Sequence, residues 1–271
     1  MGFYAVALGP YGEEPTLPQR WKETMMIDRL KNALLYYREL RLHNLRSPKY
    51  KHLFLLLYWP LFGLIFLSLE RIVPAVWQAI SGSELVYQEV VSVMDAYIPF
   101  CEWFVLPYYF WFVFLVGMLL YGLLFDIQAF RDYMWFVILS YSVTAVIYCV
   151  YPNMQALRPV EFPRDHLLVD IVRNLYDFDT NTNVCPSIHV LGSLAVCFAG
   201  LKSEKLRGVG WKLFFIISTV LISLSTVFLK QHSIIDVWAA LLLGAICYPF
   251  VFCLLSREPK FPFRPRGKNP K

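Results

Sequence analysis

Residues 103–125 read WFVLPYYFWFVFLVGMLLYGLLF, a run without a charged side chain. At about 1.5 Å per residue, an α-helix of this length crosses the roughly 30 Å hydrocarbon core of a bilayer. Hydrophobic residues make up 58% of the 271 residues, too many for a soluble domain of this size. Further apolar runs lie at 53–73, 133–151, 187–201, 211–229 and 234–255. The sequence therefore predicts an all-α, polytopic membrane helix bundle with about six transmembrane helices.

The basic residues are unevenly distributed between the two sides of such a bundle. Of the 25 Lys and Arg residues, 20 fall in 1–52, 125–132, 201–212 and 256–271, which six spans place on one side. Because cytoplasmic loops carry the excess of Lys and Arg, both termini are expected in the cytoplasm, as in a multi-pass protein of the cell membrane. The loops at 151–186 and 229–234 then emerge together on the outer face, where we expect the active site.

Three regions follow from this reading. Residues 1–52 mix apolar and basic side chains, which predicts a cytoplasmic arm with an amphipathic helix on an anionic leaflet; its expected partner is the bilayer and not a nucleic acid. Residues 53–255 form the six-span catalytic membrane domain. Residues 256–271 are rich in Pro, Arg and Lys and are expected to be a disordered cytoplasmic tail.

Two short polar motifs begin hydrophobic spans, CPSIH at 185–189 and KQHSIID at 230–236. In a helix, four-residue spacing puts His232 and Asp236 on one face, so that the carboxylate holds one ring nitrogen and leaves the other free to attack. His189 supplies a second titratable imidazole. Ionisable groups are costly inside membrane segments and mark functional sites. One imidazole as nucleophile and one as proton donor suggests phosphoryl transfer through a phosphohistidine.

A phosphoryl group also needs cations and hydrogen-bond donors around its oxygens. Arg158 offers a bidentate fork, or it snorkels to lipid headgroups. Lys230 precedes the candidate nucleophile, and Ser187 either contacts phosphate or simply caps a helix. Tyr151 is an interfacial anchor or a phosphate donor. We therefore expect Arg158, Lys230, Ser187 and Tyr151 to bind the substrate phosphate.

Two other segments are expected to be peripheral. Residues 71–102 are too short and too polar to cross a bilayer, which suggests a short surface or re-entrant helix that caps the outer face. The loop at 151–186 carries several carboxylates that are most simply its solvated face: Asp165, Asp170, Asp177 and Asp179.

The order of Arg158-Pro159, then PSIH at 186–189, then His232 with Asp236 resembles the three signature motifs of the type 2 phosphatidic acid phosphatase superfamily of membrane lipid phosphatases and phosphotransferases. The resemblance implies that His232 is the nucleophile, that Asp236 orients it and that His189 protonates the leaving group. It also implies a lipid phosphate substrate, phosphate contacts from Arg158 and the Ser187 region, and a reaction without cofactor or metal.

The sequence departs from the common pattern of that superfamily at three positions. Tyr151 stands where a Lys usually precedes Arg-Pro by seven residues, Ile188 replaces a Gly, and Thr226 replaces an Arg six residues before the nucleophile. Lys230 is a candidate replacement for one lost cation. With these substitutions, the sequence resembles the inositolphosphotransferase-like and sphingomyelin-synthase-like branches of the superfamily. Those branches transfer a phosphoryl head group to an alcohol instead of to water.

Two readings from other functional classes compete with an enzyme. A transporter would line a path with intramembrane charges, but the six runs contain no discontinuous pair in matching halves. A catalytically inactive scaffold would share the fold, but it would not need both histidines and the aspartate.

Single cysteines test the topology. In a background without exposed thiols, Asp177→Cys should react with an impermeant maleimide on intact cells, and Lys268→Cys should react only after lysis, because the basic residues favour the cytoplasmic side. The opposite labelling pattern would place the site in the cytoplasm and contradict the outer-face prediction.

Overall fold

The structure, a computed structural model, describes residues 19–255 apart from residue 163. It is an all-helical bundle with very little strand. The longer helices, in chain order, are α1 (Gln19–Arg38), α2 (Lys51–Ser81), α3 (Glu102–Phe125), α4 (Ile127–Val150), α5 (Leu167–Phe178), α6 (Ile188–Lys202), α7 (Val209–Phe228) and α8 (Ile234–Leu254). The prediction of an all-α membrane protein is confirmed at this level.

Five of these helices, α2, α3, α4, α7 and α8, are long and apolar enough to cross a membrane. The remaining predicted run, 187–201, forms the shorter apolar helix α6 of 15 residues. Helix α6 packs against α3, α4, α7 and α8, and most of its side chains are buried. Because protein encloses it, α6 does not present the lipid-facing surface that the outer helices present.

Helix α2 is continuous but not uniform. It begins as a 3₁₀ turn, Lys51–Leu57, and contains a π-helical turn, Ser68–Ile72. It ends at Gly82, whose φ of 70° lies in the left-handed region that glycine adopts without steric cost. Residues 71–81 therefore belong to a long helix and not to the short surface helix expected within 71–102.

The remainder of that segment covers the end of the bundle where α6 and α8 begin. We call this end the site end of the bundle. Strand β1 (Gln88–Glu89) pairs in parallel with β2 (Asn153–Met154), which follows α4. A 3₁₀ turn, Val93–Tyr97, comes next along the chain. The segment is thus built from extended chain and a tight turn, and its Gln88 and Val90 amides donate to the carbonyls of Pro152 and Met154.

The arm at 1–52 contains α1 and a 3₁₀ turn, Leu42–Asn44. The Tyr37 hydroxyl donates to the Leu123 carbonyl at 2.9 Å, which ties α1 to the end of α3 opposite the site. Leu34 and Leu35 are exposed. The predicted tail, 256–271, lies outside the described residues.

Close packing of α3 on α4 requires a glycine. A β-carbon at Gly122 would lie 2.7 Å from Cβ and 2.8 Å from Cα of Phe130, so the backbone would have to move. At Gly117 of the same helix, a β-carbon would meet no heavy atom within 4 Å in the described part of the chain.

Gly122→Ala should therefore destabilise the protein by about 1–3 kcal/mol through overpacking. Gly117→Ala is the matched control, and it should be neutral or slightly stabilising because alanine favours helix. Thermal unfolding in detergent measures both variants. Equal midpoints for the two would contradict the close approach of α3 and α4.

Candidate active site

His232 and Asp236 are in contact, as the sequence predicts. Nδ1 of His232 lies 3.1 Å from Oδ2 of Asp236. His232 precedes the helix, however, and Ser233 is the N-cap of α8. Oδ2 of Asp236 also accepts a hydrogen bond from the Ser233 amide at 3.0 Å, which completes a capping box. The contact therefore arises from the helix cap and not from a shared helix face.

This arrangement selects a tautomer of His232. A carboxylate only accepts hydrogen bonds, so Nδ1 carries the hydrogen and Nε2 presents its lone pair. His232 is almost fully buried. Nε2 has no hydrogen-bond partner among the described residues, so it is available to a ligand.

His189 lies opposite His232. The two rings have centroids 5.6 Å apart at an interplanar angle of 67°. His189 is the second residue of α6, and its ring is held between Tyr108 and Trp111 of α3, at centroid distances of 4.6 and 4.4 Å. Its Nδ1 is buried without a hydrogen-bond partner in the described part of the chain. The predicted pairing of the two imidazoles is present in the structure.

Hydrogen bonds fix the beginning of α6 against the beginning of α8. The Ser187 amide donates to the Asp236 carbonyl at 3.2 Å, and the Tyr148 hydroxyl donates to the Pro186 carbonyl at 2.7 Å. Ser187 is fully buried, and its hydroxyl caps α6 by accepting from the Val190 amide at 3.5 Å. Ser187 thus takes the helix-cap position that the sequence left open.

The two histidines line a small, partly open pocket at the site end. Its apolar wall comes from Phe66 of α2, Val184 and Ile188. Its polar wall, besides the histidines, consists of Asp179, Thr180, Thr182, Asn183 and Gln231. In the described part of the chain, no Lys or Arg side chain lines this pocket.

Arg158 lies behind the polar wall. Its Nη2 donates to the Asp179 carbonyl and to Oε1 of Gln231, both at 2.5 Å, and its Nη1 donates to the Tyr176 carbonyl at 2.9 Å. The guanidinium also lies over the Tyr176 ring, 4.5 Å from its centroid. Burial lowers the pKa of Arg158 from its ordinary value. Arg158 does not line the pocket itself, but it hydrogen-bonds to Gln231 and Asp179, which do.

Lys230 points away from the pocket. The residue has a φ of 55°, and its Nζ donates to the carbonyls of Asp95 and Ile98 at 2.8 and 2.5 Å. Tyr151 follows the end of α4, is about half exposed and does not line the pocket. The structure does not bring these two residues to the histidines.

Asp95 was not singled out by the sequence, although it holds the start of α8. Its Oδ2 accepts from the Ser233 hydroxyl at 2.6 Å and the Ser92 amide at 2.8 Å, and its Oδ1 accepts from the Ile234 amide at 2.9 Å. Its position in the short SVMDAY stretch carries no motif that would reveal this contact.

Asp179 corrects the interpretation of the loop carboxylates. It lines the pocket, and its Oδ2 accepts a hydrogen bond from the Tyr108 hydroxyl at 2.6 Å. The Tyr108 ring in turn packs on His189. Asp179 is therefore not part of a solvated face. The polar run DTNTN at 179–183, directly before the CPSIH motif, is the signal that could have indicated it.

The Cys185 thiol lies close to the Asp236 carboxylate. Burial and the Asp236 carboxylate raise the pKa of the Cys185 thiol to about 12. It stays protonated at neutral pH and is a poor nucleophile. The imidazole of His232 is the stronger candidate for attack on an electrophile.

In the described residues, no group of three or more His, Cys, Asp or Glu side chains is arranged to hold a metal ion. Comparisons with protein-family models, curated proteins and solved structures find no match for this chain. Its function is therefore argued from the geometry of the site.

Proposed function

We propose that this protein is an integral-membrane, metal-independent phosphatase or phosphotransferase, which acts on a lipid phosphate ester or diphosphate through a phosphohistidine on His232. One observation carries the proposal: two imidazoles lie side by side in the lining of one pocket, and one of them is held by a carboxylate with its second nitrogen free. That arrangement suits a nucleophile and a proton donor that act on the same phosphate group.

In the first step, Nε2 of His232 attacks phosphorus and forms a P–N bond. The bond from phosphorus to the leaving oxygen breaks, and His189, which takes up a proton when the anionic substrate binds, gives that proton to the leaving oxygen. The Nδ1 hydrogen of His232 stays on the ring, where Asp236 stabilises the developing positive charge. The products are a phosphohistidine, a free alcohol or phosphate, and neutral His189.

In the second step, water or a lipid hydroxyl attacks the phosphohistidine. Neutral His189 accepts the proton of the attacking group, the P–N bond breaks, and the phosphoryl group leaves on the new oxygen. Both histidines return to their starting protonation states. The acceptor thus decides whether the enzyme is a phosphatase or a transferase.

The polar wall favours an alcohol acceptor or a hydroxylated head group as the second candidate. The side chains of Asp179, Thr180, Thr182 and Asn183 accept hydrogen bonds from hydroxyl groups. Within the described residues, no cation lines the pocket to bind a bare phosphate monoester. This candidate is the lipid head-group transferase, similar to the inositolphosphotransferases.

We also propose that α6 is a sixth, enclosed span. The loops at 151–186 and 229–234 then share one side, as the pocket requires, and the distribution of basic residues puts that side outside the cell. The substrate headgroup would lie in the outer leaflet or be delivered there.

Vanadate-sensitive release of phosphate tests the proposal against a transporter or an inactive scaffold. Purified protein should hydrolyse dioleoyl phosphatidic acid or an isoprenyl diphosphate in mixed micelles. His232→Ala should reduce turnover at least about a thousandfold, because removal of an essential nucleophile abolishes the covalent route. Wild-type turnover in a folded His232→Ala protein would remove the nucleophile assignment.

His189→Ala should slow turnover in proportion to how poor the leaving group is. With alkyl phosphates, loss of a general acid should cost about 10²–10⁴-fold. With p-nitrophenyl phosphate, whose leaving group needs no proton, the first step should be nearly unaffected in single-turnover assays. Equal losses with both substrates would contradict the general-acid role.

Activity should survive chelation of divalent ions. The proposed route uses two imidazoles and no divalent ion, so an excess of EDTA should leave turnover unchanged. Apo-protein dialysed against EDTA and then given Mg²⁺ or Zn²⁺ is the control. Complete loss that either ion restores would show that the site needs a metal.

A further inference from the structure

Helix α2 carries a carboxylate, Glu70, that the phosphoryl-transfer scheme does not use. Glu70 lies inside the π-helical turn Ser68–Ile72, in a helix that is long and apolar enough to span the membrane. Single π turns within α-helices occur frequently at functional sites, and ionisable residues in spans usually have a specific partner. Both features direct attention to what this carboxylate contacts.

Glu70 accepts three side-chain hydrogen bonds from one loop. Oε2 accepts from the Thr182 hydroxyl at 2.8 Å and from the Thr180 hydroxyl. Oε1 accepts from Nδ2 of the Asn183 side chain at 2.6 Å. All three donors line the pocket. Phe66, one turn earlier on the same helix, lines it as well. Helix α2 therefore forms one side of the site.

The other edge of this loop is fixed by backbone contacts to β2 and its neighbour. The backbone amide of Asn183 donates to the backbone carbonyl of Asn153 at 2.5 Å. The backbone amide of Gln155 donates to the backbone carbonyl of Asn181 at 3.0 Å. Asn183 has a φ of 51°, a left-handed conformation that Asn tolerates better than most residues. Hydrogen bonds to Asn153 of β2 and to Gln155 thus hold the loop on one side, and Glu70 holds it on the other.

We propose that Glu70 is a positioning residue, which sets the polar wall of the pocket by holding Thr180, Thr182 and Asn183 from α2. Hydrogen bonds to a charged acceptor are stronger and shorter than neutral ones, so one carboxylate can orient three donors. An amide at this position has a single acceptor atom and presents its NH₂ group to the remaining donors. The first span is then a working part of the site and not only an anchor.

The proposal depends on the proposed function only for its kinetic consequence, so the test uses two independent readouts. The first is hydrogen exchange of backbone amides in 179–185, measured by mass spectrometry on the full chain in nanodiscs. The second is the separation of KM from kcat for dioleoyl phosphatidic acid. The variants are Glu70→Gln and, as a matched control, Glu89→Gln, which neutralises an exposed carboxylate in strand β1.

In Glu70→Gln, we expect amide exchange in 179–185 to accelerate at least about tenfold, while exchange in α4 and α6 and the thermal midpoint stay unchanged. KM should rise about fivefold or more with kcat within about threefold, because the wall is displaced while the histidines keep their partners. Adding Thr182→Val to Glu70→Gln should raise KM little further, since the two substitutions remove the same interaction. Glu89→Gln should match the wild type in both readouts.

Unchanged exchange in Glu70→Gln would overturn the positioning role, whatever the kinetics show. A fall in kcat at constant KM would also overturn it, because that result would make Glu70 part of the chemistry. If wild-type protein turns over no phosphate ester, the proposed function fails, and the exchange measurement still decides the role of Glu70.

Discussion

One carboxylate, that of Asp236, joins the two halves of the site. Its Oδ2 accepts from both His232 and the Ser233 amide, so the group that caps α8 also fixes the imidazole. The backbone carbonyl of the same residue accepts from the Ser187 amide at the start of α6. Because His189 follows Ser187 by two residues, Asp236 contributes to the spacing of the two imidazoles. A shift of Asp236 would disturb His232, the helix cap and the start of α6 together.

Three other carboxylates, each from a different part of the chain, hold neighbouring parts of the site. Asp95 holds the N-terminus of α8, Asp179 pairs with Tyr108 beneath His189, and Glu70 holds the loop before α6. A buried carboxylate is stable only when its oxygens accept several hydrogen bonds, and removing one donor leaves a desolvated charge. This asymmetry makes the site sensitive to substitution and keeps its geometry unique. The hydrogen bonds that these carboxylates accept offset the free-energy cost of removing their charges from water.

The sequence predicted the features that have a local signal. Apolar runs gave the helices, because hydrophobic length is read directly from composition. The spacing of His232 and Asp236 gave their contact, although the cap and not the helix face produces it. The second imidazole was identified from its polar motif, CPSIH, at the start of α6. These are contacts within a few residues or features of a single segment.

Contacts between distant segments could not be read in this way. Glu70 and Asn183 are 113 residues apart, and Asp95 and Ser233 are 138 apart, so no periodicity joins them. Lys230 was expected to face the phosphate, but its left-handed backbone at the end of α7 sends the ammonium to the carbonyls of Asp95 and Ile98. Side-chain direction after a helix end is set by backbone conformation, which residue type alone does not specify.

The position of Arg158 has a consequence for the proposed reaction. A guanidinium behind Gln231 and Asp179 contributes a field to the pocket without binding the ground-state phosphate directly. In a site of low dielectric such a field still acts over several ångströms, and it needs no rearrangement when charge moves onto the leaving oxygen. The Asp179 carboxylate accepts from the Tyr108 hydroxyl, and the Tyr108 ring packs on His189, so the pocket combines a remote positive charge with a nearby hydrogen-bond acceptor.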